Sequence, residues 1–176
     1  MEMVAWLAGE EHSDGPACTC PTLAALVRAF NDSIPDDRLR SRYLRPLIPR
    51  LVNTRGTRLD EQERGFLVAD YAVRVLAPQV LRRHGRGEEA ERLQRLPAVR
   101  DRATALLAHA TCVHAGPLLR DAAWIAARAA GTLPPAVWVG ALPRLAGSDA
   151  GRRAILMLIE QLLAVGDGTR LATARP

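Results

Sequence analysis

Apolar residues recur along this chain at helical rather than strand spacing, in segments punctuated by proline and glycine. The clearest segment opens at Cys20-Pro21, where proline suits the first helical position and Cys20 takes the N-cap. Leu23, Leu26, Val27, Phe30 and Ile34 then mark one buried face. Residues 33–37, around Pro35, end that helix and cap the next. The helical stretch over 38–52 contains Pro46 and Pro49, which predicts a kink or two short helices. Residues 53–57 read as a loop.

A longer helix is predicted over 60–84, with Phe66, Ala69, Val73, Leu76, Ala77 and Val80 as its stripe and Gly85-Arg86-Gly87 as its stop. Pro78, late in that run, predicts a kink or an earlier end. A short charged helix follows over 88–96. The segment 98–113 places Val99, Ala103, Leu106, Ala110 and Val113 on one side, the expected buried side. Gly116-Pro117 starts a further helix that reaches Ala130 and stops at Gly131. Pro134-Pro135 begins a short apolar segment through Leu145. Ser148 or Asp149 caps the last helix, whose Ile155, Leu156, Leu158, Ile159, Leu162 and Leu163 predict a central core element. Trp6, Trp124 and Trp138 lie in apolar contexts that predict burial, or the lining of a pocket by any one of them. With no alternating pattern, repeat or linker, the expected fold is an all-α, single-domain bundle of roughly six to eight helices. It spans residues 1–166, and 167–176 form a frayed tail.

Composition narrows the function classes. The chain has 176 residues and is 48% hydrophobic but only 4% aromatic, so alanine, leucine and valine must fill the core. All 24 basic residues are arginine, which excludes Schiff-base catalysis and a P-loop lysine within this chain. The net charge of +5 permits attraction to nucleic acid without requiring it. Arg38, Arg42 and Arg45 share one helical face open to nucleic-acid phosphates, but Tyr43 is the one aromatic nearby for base stacking, which favours a solvated face. No apolar run is long enough to span a membrane. The first nine residues are too short for a signal peptide. A cytoplasmic protein with reduced thiols is expected.

Candidate chemistry gathers at His12, Cys18 and Cys20, one imidazole and two thiols within nine residues. These are preferred ligands for zinc, copper or iron, although the spacing matches no standard zinc finger. A fourth ligand would come from His84, His109, Cys112 or His114. Cys112 and His114 are two residues apart, which turns them roughly 200° from each other on a helix. By that reading His114 falls on the apolar stripe and Cys112 points away. The same segment also reads as a reactive thiol: Cys20 at a helix N-terminus feels the positive dipole end, with Cys18 to resolve and His12 as base. In the third reading it is structural, with Asp14-Gly15-Pro16 as turn chemistry and the cysteines as small buried residues. Asp70 is a weaker candidate for a general base, set against a structural ion pair with Arg74 one turn on. The loop of Thr54-Arg55-Gly56-Thr57-Arg58 offers amides and guanidinium groups to an anion, or is a solvated turn.

Trp6-Leu7-Ala8-Gly9, His12-Ser13-Asp14 and Cys18-Thr19-Cys20-Pro21 resemble the opening of an uncharacterised helical family of bacterial proteins from GC-rich genomes. Asn31-Asp32, residues 46–52, Thr54-Arg55-Gly56, Glu63-Arg64 and Ala69-Asp70 continue the similarity through the first half. The resemblance implies no activity and carries over no catalytic residue. The expected function is a helical module that binds a small molecule or a protein without catalysis, its His/Cys segment structural or lining a groove. The alternatives are a metal- or thiol-dependent enzyme using His12, Cys18 and Cys20, and an arginine-rich nucleic-acid binder.

Overall fold

A computed structural model describes residues 1–166, and within them every regular element is helical. The tail expected over 167–176 lies outside the described residues. In chain order the helices are α1 (Glu2–Ala8), α2 (Pro21–Asp32), α3 (Asp37–Leu44), α4 (Ile48–Leu51) and α5 (Arg58–Asp70). They continue as α6 (Ala77–Arg83), α7 (Gly87–Gln94), α8 (Arg102–His114), α9 (Arg120–Ala129), α10 (Pro143–Ala146) and α11 (Asp149–Ala164). Two of these, α4 and α10, are single turns. This is the expected all-α bundle.

The caps follow local sequence. The Cys20 thiol accepts from Leu23 N–H at 3.3 Å, with Pro21 at the first helical position. Thr57 and Asp60 exchange hydrogen bonds in a capping box that starts α5, and Asp101 and Thr104 do the same for α8. Ser148 caps α11 through Gly151 N–H at 3.1 Å. A Cβ at Gly151 would lie 2.0 Å from the Ala146 carbonyl oxygen, so that first turn requires glycine.

Helices α5 and α6 form one continuous rod joined by a π-turn, Tyr71–Leu76. Pro78 lacks the N–H that an α-helix would aim at the Arg74 carbonyl, and its ring would crowd that carbonyl. The wider turn just before it gives the ring room, so the rod runs past Pro78 without ending. Its buried side is Val68, Ala69, Ala72, Val73, Leu76, Ala77 and Leu81.

The core lies where this rod, α2, α9 and α11 meet. Leu23, Leu26, Val27, Phe30 and Ile34 are all buried, as their spacing predicts, and so are Ile155, Leu158, Ile159, Leu162 and Leu163 of α11. Two expectations need correction. Trp6 is 76% exposed and Trp124 is also exposed, while Trp138 alone of the three is buried. Helix α8 is turned the other way: it buries Ala105, Ala108, Cys112 and Ala115 and leaves Leu106, Val113 and His114 outside. Its partner is α9, which presents Ala122, Ala123 and Ala126 to the interior. Small residues on both sides let the two helix backbones approach closely.

Candidate functional site

The opening segment is sewn onto the loop that precedes α5. Glu10 accepts from the N–H groups of Ala17 at 2.6 Å and Cys18 at 2.8 Å. Desolvation works against its ionisation, but those bonds, the Cys18 thiol and nearby Arg55 outweigh it and hold the carboxyl below its usual range. Arg55 N–H donates to the Cys18 carbonyl at 2.9 Å, its guanidinium to the Ala17 carbonyl at 3.0 Å, and Cys20 N–H to Thr54 Oγ1 at 3.0 Å. Each bond satisfies a backbone or cap group that would otherwise be unpaired.

This arrangement scatters the expected ligands. His12 points outward to Glu2, Nε2 to Oε1 3.1 Å. Cys18 is half-buried and Cys20 fully buried. His114 is exposed on α8, His84 Nδ1 bonds the Val80 carbonyl, and His109 Nδ1 bonds the Ala123 carbonyl. Among the described residues no three His, Cys, Asp or Glu side chains are grouped to hold a metal ion. The structure therefore gathers no donor set for zinc, copper or iron there.

Cys20 caps α2 from a fully buried position rather than an open one. Burial, reinforced by a hydrogen bond to Glu61, pushes its thiol up to about 12. Desolvation of the thiolate exceeds the help from the Leu23 N–H and the Arg64 charge. Buried Cys112 is raised to about 12 for the same first reason. Asp70 is fully engaged: both carboxylate oxygens meet Arg74 Nη1, at 3.1 and 3.3 Å, and Oδ1 accepts Val99 N–H at 2.9 Å. It pins the segment before α8 to the rod.

Sequence reasoning missed Arg64, a guanidinium at 0% exposure. Its Nε donates to the Leu162 carbonyl at 3.1 Å and Nη2 to the Val165 carbonyl at 2.7 Å, so it caps the C-terminal end of α11. Nη1 lies 3.6 Å from Glu61 Oε1. Glu61 Oε2 accepts from Thr22, through both its N–H and its hydroxyl, at the start of α2. One turn of α5 thus ties two helix ends together. The available signal was spacing: Arg64, Val68 and Ala72 are four apart on the buried side.

Beside this clamp lies a cleft of about 570 Å³, between the start of α5 and the connection from α9 to α10. Arg55, Arg58 and Arg128 stand around it, Glu61 is its one carboxylate, and half-buried Phe66 supplies aromatic surface, with buried Trp138 packed behind the wall. A Cβ at Gly65 would lie 2.7 Å from Pro135 Cγ, so glycine lets the proline wall press directly onto α5. The Trp138 indole N–H reaches the Leu133 carbonyl at 3.4 Å. Arg128 is stacked over Trp124, 5.2 Å from the ring centroid. The loop at 54–58 therefore does more than turn the chain. The amides of Arg55 and Thr57 are already spent on Cys18 and Asp60, so any anion there meets guanidinium groups rather than a backbone cradle.

A second cleft, about 710 Å³, lies among α1, α2 and α3. Its three arginines, Arg28, Arg40 and Arg45, face three carboxylates, Glu2, Asp14 and Asp32. Arg28 bonds the Asp14 carbonyl and Arg40 bonds both Asp37 and the Ile34 carbonyl. Its charges are balanced and largely engaged, which leaves the first cleft as the candidate site. The basic face of α3 has also lost its stacking partner, because Tyr43 is half-buried with its ring stacked on Phe30 at 6.4 Å.

No protein-family model, curated protein or solved structure matches the chain. Among the described residues no helix is long and apolar enough to cross a membrane.

Proposed function

We propose that this chain is a non-catalytic helical binding module whose ligand site is the cleft between the start of α5 and the α9–α10 connection. The observation that carries this is the lining: a preformed aromatic and proline surface with a few convergent polar groups, at a volume typical of small-molecule sites. The opening segment serves the site from behind. Its Ala17 carbonyl holds Arg55, and Pro21, next to the Cys20 cap, forms part of the wall. Buried, protonated Cys20 and fully engaged Asp70 suit this reading better than a nucleophile or a general base.

The test is a heteronuclear NMR titration with 2-naphthoate. The expected result is that the largest shifts fall on the Trp138 indole N–H and on the amides of Gly56, Gln62 and Gly65. Shifts concentrated on α1 and α3, or none at all, would reject the cleft as the site.

A further inference from the structure

The cleft combines two features that select opposite ends of one molecule. Its floor and one wall are apolar: Phe66, Trp138 and Pro135 lie together, packed around the close approach at Gly65. Its rim holds three guanidinium groups against a single carboxylate. That carboxylate, Glu61, is occupied by Thr22 and faced by the buried Arg64 charge, so it does not neutralise the rim. Arg55 is partly offset by Glu10, whose carboxyl responds to its charge. Among the described residues Arg128 has the face of Trp124 for company and no carboxylate, and the Arg58 guanidinium makes no ion pair or hydrogen bond. Among the described residues two of the three cations are therefore uncompensated, and two of the three, Arg55 and Arg128, are held in place before any ligand arrives. Such preorganisation lowers the ordering cost of binding.

We infer that the cleft takes an oxyanion, a carboxylate or a phosphate ester, carried on a flat apolar body, with Arg58 and Arg128 receiving the charge and Phe66, Leu133 and Pro135 the body, backed by buried Trp138. The inference rests on the cleft being the ligand site. Guanidinium suits either oxyanion because its planar fork donates two parallel hydrogen bonds to both. Inorganic phosphate is expected to bind more weakly than a naphthyl ester, because it meets the guanidinium groups and leaves the apolar lining uncovered.

Calorimetric titration of the full chain with four probes tests this: 2-naphthoate, 2-naphthyl phosphate, 2-naphthylmethanol and inorganic phosphate. Both naphthyl anions should bind at least about tenfold more tightly than the neutral alcohol, the advantage expected of a charge-assisted hydrogen bond. Arg58→Gln and Arg128→Gln should each remove most of that advantage, while Arg100→Gln, on the far segment before α8, should leave it intact. The two anions are ranked against each other in the same series, which separates a carboxylate ligand from a phosphate ester. Equal affinity for the alcohol and the anions overturns the charge assignment and leaves the cleft standing. Inorganic phosphate binding as tightly as naphthyl phosphate overturns the apolar body. Failure of all three naphthyl probes to move the Trp138 indole resonance overturns the cleft itself.

Discussion

Helices α2 and α8 are nearly equal in length, yet they meet the core in opposite ways. Helix α2 buries its largest residues, Leu23, Leu26 and Phe30, and caps itself with a cysteine. Helix α8 buries its smallest, Ala105, Ala108 and Cys112, and turns Leu106, Leu107 and Val113 outward at 48%, 47% and 57% exposure. The difference lies in the partner. Helix α2 faces the interior left by the 3-10 turns Pro135–Val137 and Val139–Ala141, a space that large side chains must fill. Helix α8 faces the alanine side of α9, where backbone proximity replaces side-chain volume. Hydrophobicity alone does not decide which face goes in; the depth of the space does.

The largest effect should come from emptying the α2 side. Phe30→Ala removes a fully buried ring and should cost about 3–5 kcal/mol of unfolding free energy, read by urea denaturation. On the α8 side the damaging change is enlargement. Ala108→Leu should cost about 1–3 kcal/mol by prying α8 from α9, and a neutral result there would show that the two helices are not closely seated.

The cysteines sharpen the comparison, since each helix buries one. Both thiols are raised to about 12, so the fold holds them protonated where an unfolded chain would ionise them. Their contribution is complete below about pH 9 and is lost as pH rises toward 12. By pH 10 the loss should be about 1 kcal/mol per thiol, and Cys112→Ala should flatten the slope in a pH series of denaturation curves. Half-buried Cys18 should alkylate in the native protein before either of them, as peptide mapping after brief iodoacetamide treatment would show.

The smallest effect should be Leu106→Gln on the outer face of α8. A change below about 0.5 kcal/mol is expected there, and a loss of several kcal/mol would return that residue to the core.

The same contrast explains what could be read in advance. Helix α2 has one apolar side and one terminator, so its spacing admits a single orientation. Helix α8 gives little polar contrast: beyond Arg102 it has no Asp, Glu or Arg, and Ala105, Ala108, Cys112 and Ala115 fit helical spacing as well as Leu106, Ala110 and Val113 do. The choice is made by α9 and is invisible locally. The cleft was half legible for a related reason. Arg55 and Arg58 drew notice as a loop pattern, but Arg128 and Trp138 reach it only through the packing of the second half of the chain against α5. Asp70 with Arg74 was legible because both partners lie one turn apart. The burial of Arg64 was not, because its acceptors are the carbonyls of Leu162 and Val165.

That last pairing bears on how the molecule is made. A chain synthesised from its N-terminus exposes the Arg64 guanidinium about a hundred residues before the carbonyls that receive it exist. Until then α5 has no fixed end to grip, and the Glu61 hold on α2 stands next to an unanswered charge. Completion is therefore a late event on the timescale of translation, and a product stopped short of Leu162 lacks the latch rather than merely a helix.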